Sequence, residues 1–183
     1  MRQRLFVMMA LAAAGAASVA VVSRKLGWKR FAEVEAGVLY RSGQLTPAQL
    51  RAAAARYNLR TVFSFTFTDD AEEEALCKEL GLRRHFHYLA GNGVGPDDAY
   101  LKFLAVVGDP ANHPVLVHCS AGVQRTGGAV VMYRIVHNGW DFDRAWEEAV
   151  GCGNDGNEPQ RLVMKRLAER LADSPAVARR TER

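Results

Sequence analysis

Cysteine is scarce: the 183 residues hold three (Cys77, Cys119, Cys152), and none forms a CxxC pair. That excludes a disulfide framework and the common zinc-ribbon spacings, and leaves a free, reactive thiol as the open reading. Internal repeats are absent, and low complexity is confined to an Ala-rich N-terminus. Acidic residues are missing from the first 30 positions, which carry Arg2, Arg4, Arg24, Lys25, Lys29 and Arg30. The formal charge of +4 therefore sits largely at that end, and the rest of the chain is close to neutral. A basic stripe across a folded domain, the electrostatic footprint of a nucleic-acid partner, is not indicated. Basic flanks of this kind fit an anionic lipid surface better. With 49% apolar and 24% charged residues, composition excludes both disorder and a multi-span membrane protein. The length suits one domain with a full core.

Leu5 to Val22 is an unbroken run of apolar or small residues, preceded by Arg2 and Arg4 and followed by Arg24 and Lys25. Its length is at the lower limit for a membrane-spanning helix and the upper limit for a secretory leader. Both readings stand. Ser18-Val19-Ala20 offers a small-residue cleavage site, which would release a soluble form beginning near Val21. Against this, the basic cluster after the run outweighs the one before it, which holds the C-terminal part in the cytoplasm. The expectation is an uncleaved N-terminal helical anchor, with export after cleavage as the alternative. The boundaries expected are an anchor over residues 1–30, a catalytic domain over 31–173 and a tail over 174–183.

From Phe31 short strands alternate with helices. Val34 to Arg41 reads as a strand pair around Gly37. Thr46-Pro47-Ala48-Gln49 is a capping box with Pro at the first helical position, opening a helix to Tyr57. Thr61 to Thr68 alternates as a strand does, and Asp70 caps a helix to Leu80 that Gly81 ends. A strand over Arg83–Leu89 leads into the glycine-rich Gly91–Gly95, and Pro96 starts a helix to Val107. Val115-Leu116-Val117 fits a fully buried strand. Helices follow over Thr126–His137, Phe142–Val150 and Pro159–Leu171. This order predicts an α/β fold with a mainly parallel central sheet flanked by helices.

The chemistry lies in His118-Cys119-Ser120-Ala121-Gly122-Val123-Gln124-Arg125-Thr126-Gly127, where a buried strand gives way to a helix. A loop so placed aims successive N–H groups into one concavity, with the positive end of the helix dipole behind them. Ser120, Ala121, Gly122, Val123, Gln124 and Arg125 would cradle a phosphate. Cys119 in that cradle is favoured as thiolate. Arg125 offers a planar pair of donors to two phosphoryl oxygens. Thr126 can donate to the sulfur, and Gly122 and Gly127 permit close backbone approach. The spacing C-x5-R alone decides nothing, since Cys77 and Arg83 share it. Cys77, however, falls within a helix and has no strand before it, so it reads as a small core side chain.

The segment His118 to Gly127 resembles the HCxxGxxRTG signature of protein tyrosine phosphatases and dual-specificity phosphatases, with CSAG and RTG closest to the tyrosine-specific branch. Gly37-Val38-Leu39-Tyr40-Arg41-Ser42-Gly43-Gln44 is similar to the entry strand of bacterial and fungal dual-specificity-like members. The likeness covers residues 31–172, and its compactness favours the dual-specificity type. It implies a cysteine phosphatase fold and a two-step reaction through a cysteinyl phosphate, with no metal and no cofactor. His118 would orient the loop. The expected substrates are proteins carrying phosphotyrosine, with phosphoserine and phosphothreonine also possible for this type. A phosphoinositide or inositol phosphate is the second reading and a catalytically weak phosphate-binding module the third.

The sequence departs from the family at the general acid, an Asp some 30 residues before the nucleophile. His85 to Val94 contains no Asp or Glu, and Asn92 stands at a plausible acid position. Asp97 and Asp98 are the nearest candidates, although acids in a first helical turn also serve the dipole. Asp69 and Asp70, after another strand, are further candidates. His85 and His87 share a strand face and read more readily as structural than as metal ligands.

Overall fold

A computed structural model describes residues 27–67 and 70–172. The hydrophobic helix expected at Leu5–Val22, the C-terminal tail and Asp69 lie outside the described residues. Among the described residues, no helix is long and apolar enough to cross a membrane.

Five strands form one sheet: β1 (Ala32–Glu35), β2 (Leu39–Gly43), β3 (Thr61–Ser64), β4 (Arg83–Phe86) and β5 (Val115–Cys119), in the order β1-β2-β5-β3-β4. β2, β5, β3 and β4 run parallel, and β1 pairs antiparallel with β2 across a turn in which Gly37 has φ +70°. The expected mainly parallel α/β sheet is therefore present, with β5 at its centre.

Helices α1 (Pro47–Tyr57), α2 (Asp70–Glu79), α3 (Asp98–Gly108), α4 (Gln124–Asn138), α5 (Phe142–Gly151) and α6 (Glu158–Ala172) cover the two faces. The capping box at α1 forms as its sequence requires: the Thr46 hydroxyl accepts from Gln49 N–H, and the Gln49 side chain accepts from Thr46 N–H. One face packs Tyr40, Val62 and Leu116 with Leu50 and Ala53 of α1 and Leu76 and Cys77 of α2. The opposite face packs Leu39, Phe63, Val115, Val117 and Cys119 with residues of α3 to α6. Alternate residues of β5 thus serve opposite layers, as the pleat dictates.

Some boundaries differ from the sequence expectation. β3 ends at Ser64 and β4 at Phe86, because the chain leaves the ladder there through single bonds, His87 N–H to Ser64 O (3.0 Å) and Leu89 N–H to Phe65 O (3.4 Å). α3 begins at Asp98 rather than Pro96, whereas α4 begins at Gln124, two residues before Thr126. That earlier start places Arg125 in the first turn of α4. Trp28, before the expected domain start at Phe31, is buried against Phe31 and Tyr57. Lys29 O accepts from Gly43 N–H (2.7 Å), so residues 28–30 pack onto the folded body.

Candidate active site

β5 ends at Cys119 between the C-terminal ends of β2 and β3, and the chain turns through Ser120–Val123 into α4. The turn depends on Gly122, which has φ +73°. A Cβ there would come within 2.4 Å of Gly43 N and 2.7 Å of Ser42 C, so a side chain fits neither the backbone angle nor the space. Two cations outside the motif hold the loop from behind. Arg41 Nη2 donates to Gly122 O (2.8 Å) and Arg30 Nη1 to Ala121 O (3.1 Å). Gln44 N–H donates to Ser120 O (3.2 Å). With these carbonyls occupied outside, the loop keeps one curvature.

Cys119 is 1% exposed at the floor of this loop. The Thr126 hydroxyl (3.1 Å) and Gly122 N–H (3.3 Å) donate to its Sγ. Burial works against ionisation, but the Thr126 hydroxyl and N–H, the Arg125 charge and the Gly122 N–H outweigh it and hold the thiol below its ordinary pKa. Cys77 provides an internal contrast. It lies in α2 with no such donors, and burial followed by the Glu73 charge pushes it up to about 12. The same C-x5-R spacing thus gives opposite thiols, because only one follows a strand into a helix start.

Arg125 is fixed by the strand ends. Its Nη1 donates to Phe65 O (3.1 Å) and Leu89 O (3.3 Å), and its Nη2 to Ser120 Oγ (3.2 Å). Ser120 Oγ is also 2.8 Å from Thr66 Oγ1. The guanidinium is therefore held beside the ends of β3 and β4 and at Ser120 of the loop.

His118 sits on the opposite face of β5, with Nε2 2.9 Å from Glu73 Oε2. Glu73 also accepts from Arg84 Nε (3.0 Å) and Gln44 Nε2 (3.1 Å), and Arg84 pairs further with Asp70 and Glu74. Burial opposes the charge on Glu73, yet the His118 and Arg84 contacts keep its carboxyl below the usual value. Glu73 escaped the sequence reading because it lies in the run Glu72-Glu73-Glu74, which looks like a solvated helix face.

A second network braces the loop on the α4 side. Gln124 Nε2 donates to Asp155, and Gln124 O accepts from Gln160 Nε2 (2.8 Å). Asn154 Nδ2 donates to Gln160 Oε1 (3.0 Å), and the Tyr100 hydroxyl donates to Gly93 O (2.8 Å). Asn154, Asp155 and Gln160 gave no signal in sequence, since they join the site only through the packing of α6 and the loop before it.

The two candidate acids are engaged away from the loop. Asp97 Oδ2 is 2.7 Å from Arg170 Nη1, and Asp98 Oδ2 lies 3.1 Å from His87 Nε2 and 3.7 Å from Lys102 Nζ. Asp70 pairs with Arg84, and Asn92 Oδ1 accepts from Val94 N–H (3.0 Å). His85 lies parallel to the Phe63 ring at 6.4 Å. Beside the loop, a cavity of about 330 Å³ is lined by Ser120, Lys29, Gln44, Glu72, Glu73 and an apolar floor that includes Leu50 and Leu76.

A thiol held low in a turn at the end of a central parallel strand, with an arginine of the following helix bonded to that turn, is the arrangement of the cysteine-phosphatase class of α/β folds. The chain resembles the protein tyrosine phosphatase superfamily, in its compact dual-specificity-like form. Residues 94–166 match the family model described as a DSP-PTPase phosphatase fused to NAD+ kinase. The dual specificity protein phosphatase TpbA of Pseudomonas aeruginosa is 38% identical over 114 residues, 60% of this chain and 49% of TpbA. The chain spans about half the length of that curated relative. The inositol diphosphatase DSP5 of Arabidopsis thaliana is 42% identical over 57 residues, 31% of this chain and 28% of DSP5. Among solved structures, TpbA in a cysteine-to-serine form with pTyr superposes with a TM-score of 0.64 at 26% identity, covering 80% of this chain and 92% of that one. The catalytic core of the PP-IP phosphatase SIW14 from S. cerevisiae shares the fold with a TM-score of 0.68 at 22% identity, covering 81% and 94%.

Proposed function

We propose that this chain is a cysteine-dependent phosphomonoester phosphatase acting on phosphotyrosine, and on phosphoserine or phosphothreonine, in proteins. The observation that carries the proposal is the buried Cys119 Sγ at the strand end, with the Gly122 N–H and Thr126 hydroxyl donating to it and Arg125 Nη2 bonded to Ser120 Oγ of the same loop. In the first step the Cys119 thiolate attacks phosphorus, an S–P bond forms, and the bond to the leaving oxygen breaks. In the second step water attacks phosphorus and gives its proton to the carboxylate that served as donor, the S–P bond breaks, and the electron pair returns to sulfur, to which the Thr126 hydroxyl donates a hydrogen bond. Inorganic phosphate leaves with the water oxygen, and no metal or cofactor enters either step. The proton donor in this proposal is Asp97 or Asp98, released from its ion pair as the Gly91–Gly95 loop closes over substrate. At rest both carboxylates are engaged, so an aryl oxygen, which needs least protonation, is the leaving group the geometry suits best.

The protein substrate is supported by the charge around the loop. Ser120, Ala121, Val123 and Gln124 carry none, and Arg30 and Arg41 are bonded to loop carbonyls rather than turned to a second phosphate. A phosphoinositide or inositol phosphate is the second reading, favoured by Lys29 on the cavity beside Ser120 and by the similarity to DSP5. Residues 1–30, with their hydrophobic run Leu5–Val22, are proposed to anchor the domain on the cytoplasmic side of a membrane.

The test is a panel of p-nitrophenyl phosphate, phosphotyrosine peptide, phosphoserine peptide and phosphoinositide, measured with and without chelator. The aryl substrate and the phosphotyrosine peptide are expected to turn over fastest, and the chelator to have no effect. Cys119→Ser should remove turnover while phosphate or vanadate still binds, and Arg125→Lys should remove most activity, because a point charge cannot replace the planar fork. Near-normal rates in Cys119→Ser would overturn the mechanism. Faster turnover of the phosphoinositide would assign the second reading, and no turnover of any substrate would leave a phosphate-binding module.

A further inference from the structure

Large apolar side chains that reach solvent are few among the described residues, and two of them meet beside the candidate active site. Phe67 is 59% exposed and Tyr88 is 53% exposed. Their rings stack, with centroids 4.8 Å apart and planes 20° apart, and Phe86 closes on the other side of Phe67 at 4.8 Å. Three aromatic side chains thus form a ledge at the ends of β3 and β4. Its exposed faces are held there against the usual cost of wetting apolar surface.

The ledge is joined through the backbone to residues that touch the phosphate cradle. Phe67 follows Thr66, whose hydroxyl is 2.8 Å from Ser120 Oγ. Tyr88 precedes Leu89, whose carbonyl holds Arg125. In the sheet β3 neighbours β5 and β4 neighbours β3, so the ledge begins one to two strands from Cys119, about 5–10 Å away. An extended peptide advances about 3.3 Å per residue, so a residue one or two places from a phosphorylated residue in the cradle reaches it.

The chemistry of the ledge selects the occupant. Its faces are apolar, and Arg84, 5.6 Å from the Phe86 centroid, has its guanidinium held by Glu73, Glu74 and Asp70. A further phosphate or an inositol ring would find the Arg84 charge already compensated. A large apolar side chain would cover both rings and remove them from water.

Resting on the phosphatase reading above, we propose that Phe67, Phe86 and Tyr88 form a specificity subsite for a large apolar side chain next to the phosphorylated residue of a protein substrate. The ledge is a binding surface and takes no part in the covalent steps.

The experiment compares two phosphotyrosine peptides that differ only in the positions flanking the phosphotyrosine, Leu or Phe in one and Ser in the other. For the unaltered protein, kcat/KM should favour the apolar peptide by about fivefold to tenfold, the effect of burying roughly half of one large apolar side chain, and the difference should lie in KM. In Phe67→Ser and Tyr88→Ser the ratio of the two peptides should fall toward one, while Phe67→Leu and Tyr88→Phe keep most of it. Reading a ratio within each preparation cancels any loss of folded protein. Equal kcat/KM for the two peptides in the unaltered protein would overturn the proposal. It would also be overturned if the serine variants kept the ratio, or if they lost rate only on phosphoinositide in vesicles, which would make the ledge a membrane contact. Failure of the unaltered protein on every phosphotyrosine peptide and on p-nitrophenyl phosphate would sink the phosphatase reading itself.

Discussion

At the residue scale, the ionisation of Cys119 depends on its donors more than on the cysteine itself. Cys119 and Cys77 are both buried free thiols, and their ionisation moves in opposite directions because Cys119 alone has the Thr126 hydroxyl, the loop N–H groups and Arg125 around it. Thr126→Val removes the hydroxyl and keeps the shape of the side chain. A hydrogen bond to a charged group is worth about 1.5–3 kcal/mol, so the thiol pKa should rise by about one to two units. Because the thiolate is the reactive form, the acidic limb of kcat/KM for p-nitrophenyl phosphate should move to higher pH by the same amount. A rate that falls uniformly across pH, with the limb unmoved, would assign Thr126 a packing role instead. The Cys119 motif was legible in sequence because strand, loop glycine, arginine and helix are contiguous. Glu73, Thr66 and Arg41 were not, since nothing local marks which charged or polar residue will be turned inward.

At the scale of elements, α2 is tied to β4 and β5 by the pairs Glu73–Arg84 and Glu73–His118. Removing one member of a buried charged set leaves the others uncompensated. Glu73→Gln should therefore lower stability by about 3 kcal/mol at neutral pH, measured by urea unfolding. The pH dependence has a definite sign. The folded-state pKa of Glu73 lies below the reference value of 4.5, so its contribution is present above that value and is lost as pH falls through the lower folded one. The gap between unaltered and variant protein should be widest near neutrality and narrow in acid. A gap that does not change with pH would mean that packing, and not charge, holds α2 in place. Element types were read correctly from periodicity, and the capping box at α1 formed as its four residues require. The ends of β3 and β4 were misjudged because apolar alternation continues past the last ladder bond into the ledge.

For the whole molecule, the folded body begins before the expected boundary at residue 31. Trp28 is buried against Phe31 and Tyr57, and Arg30 reaches across to the phosphate loop at Ala121. A chain starting at residue 27 should fold and turn over p-nitrophenyl phosphate like the full sequence. One starting at residue 31 should lose about 3–5 kcal/mol, as for truncating a buried tryptophan, together with activity. Equal unfolding midpoints for the two would show that residues 27–30 only cover the surface. The same chains test the proposed anchor by fractionation. The full sequence is expected in membranes and the chain from residue 27 in the soluble fraction, and a soluble full-length chain would remove the anchor.

The sequence alone determined the α/β arrangement, the mainly parallel sheet and the strand–loop–helix turn that carries Cys119 and Arg125, because each depends on residues adjacent in the chain or repeating at a fixed period. Tertiary structure decided what surrounds them. Asp97 and Asp98 went to Arg170 and to His87 and Lys102, Glu73 went to His118 and Arg84, Gln160 came to Gln124, and Phe67 met Tyr88. These contacts join residues from separate elements, so they follow from which faces pack together. No local pattern encodes that choice, because an exposed and a buried carboxylate are spelled alike until the helix that carries them is docked.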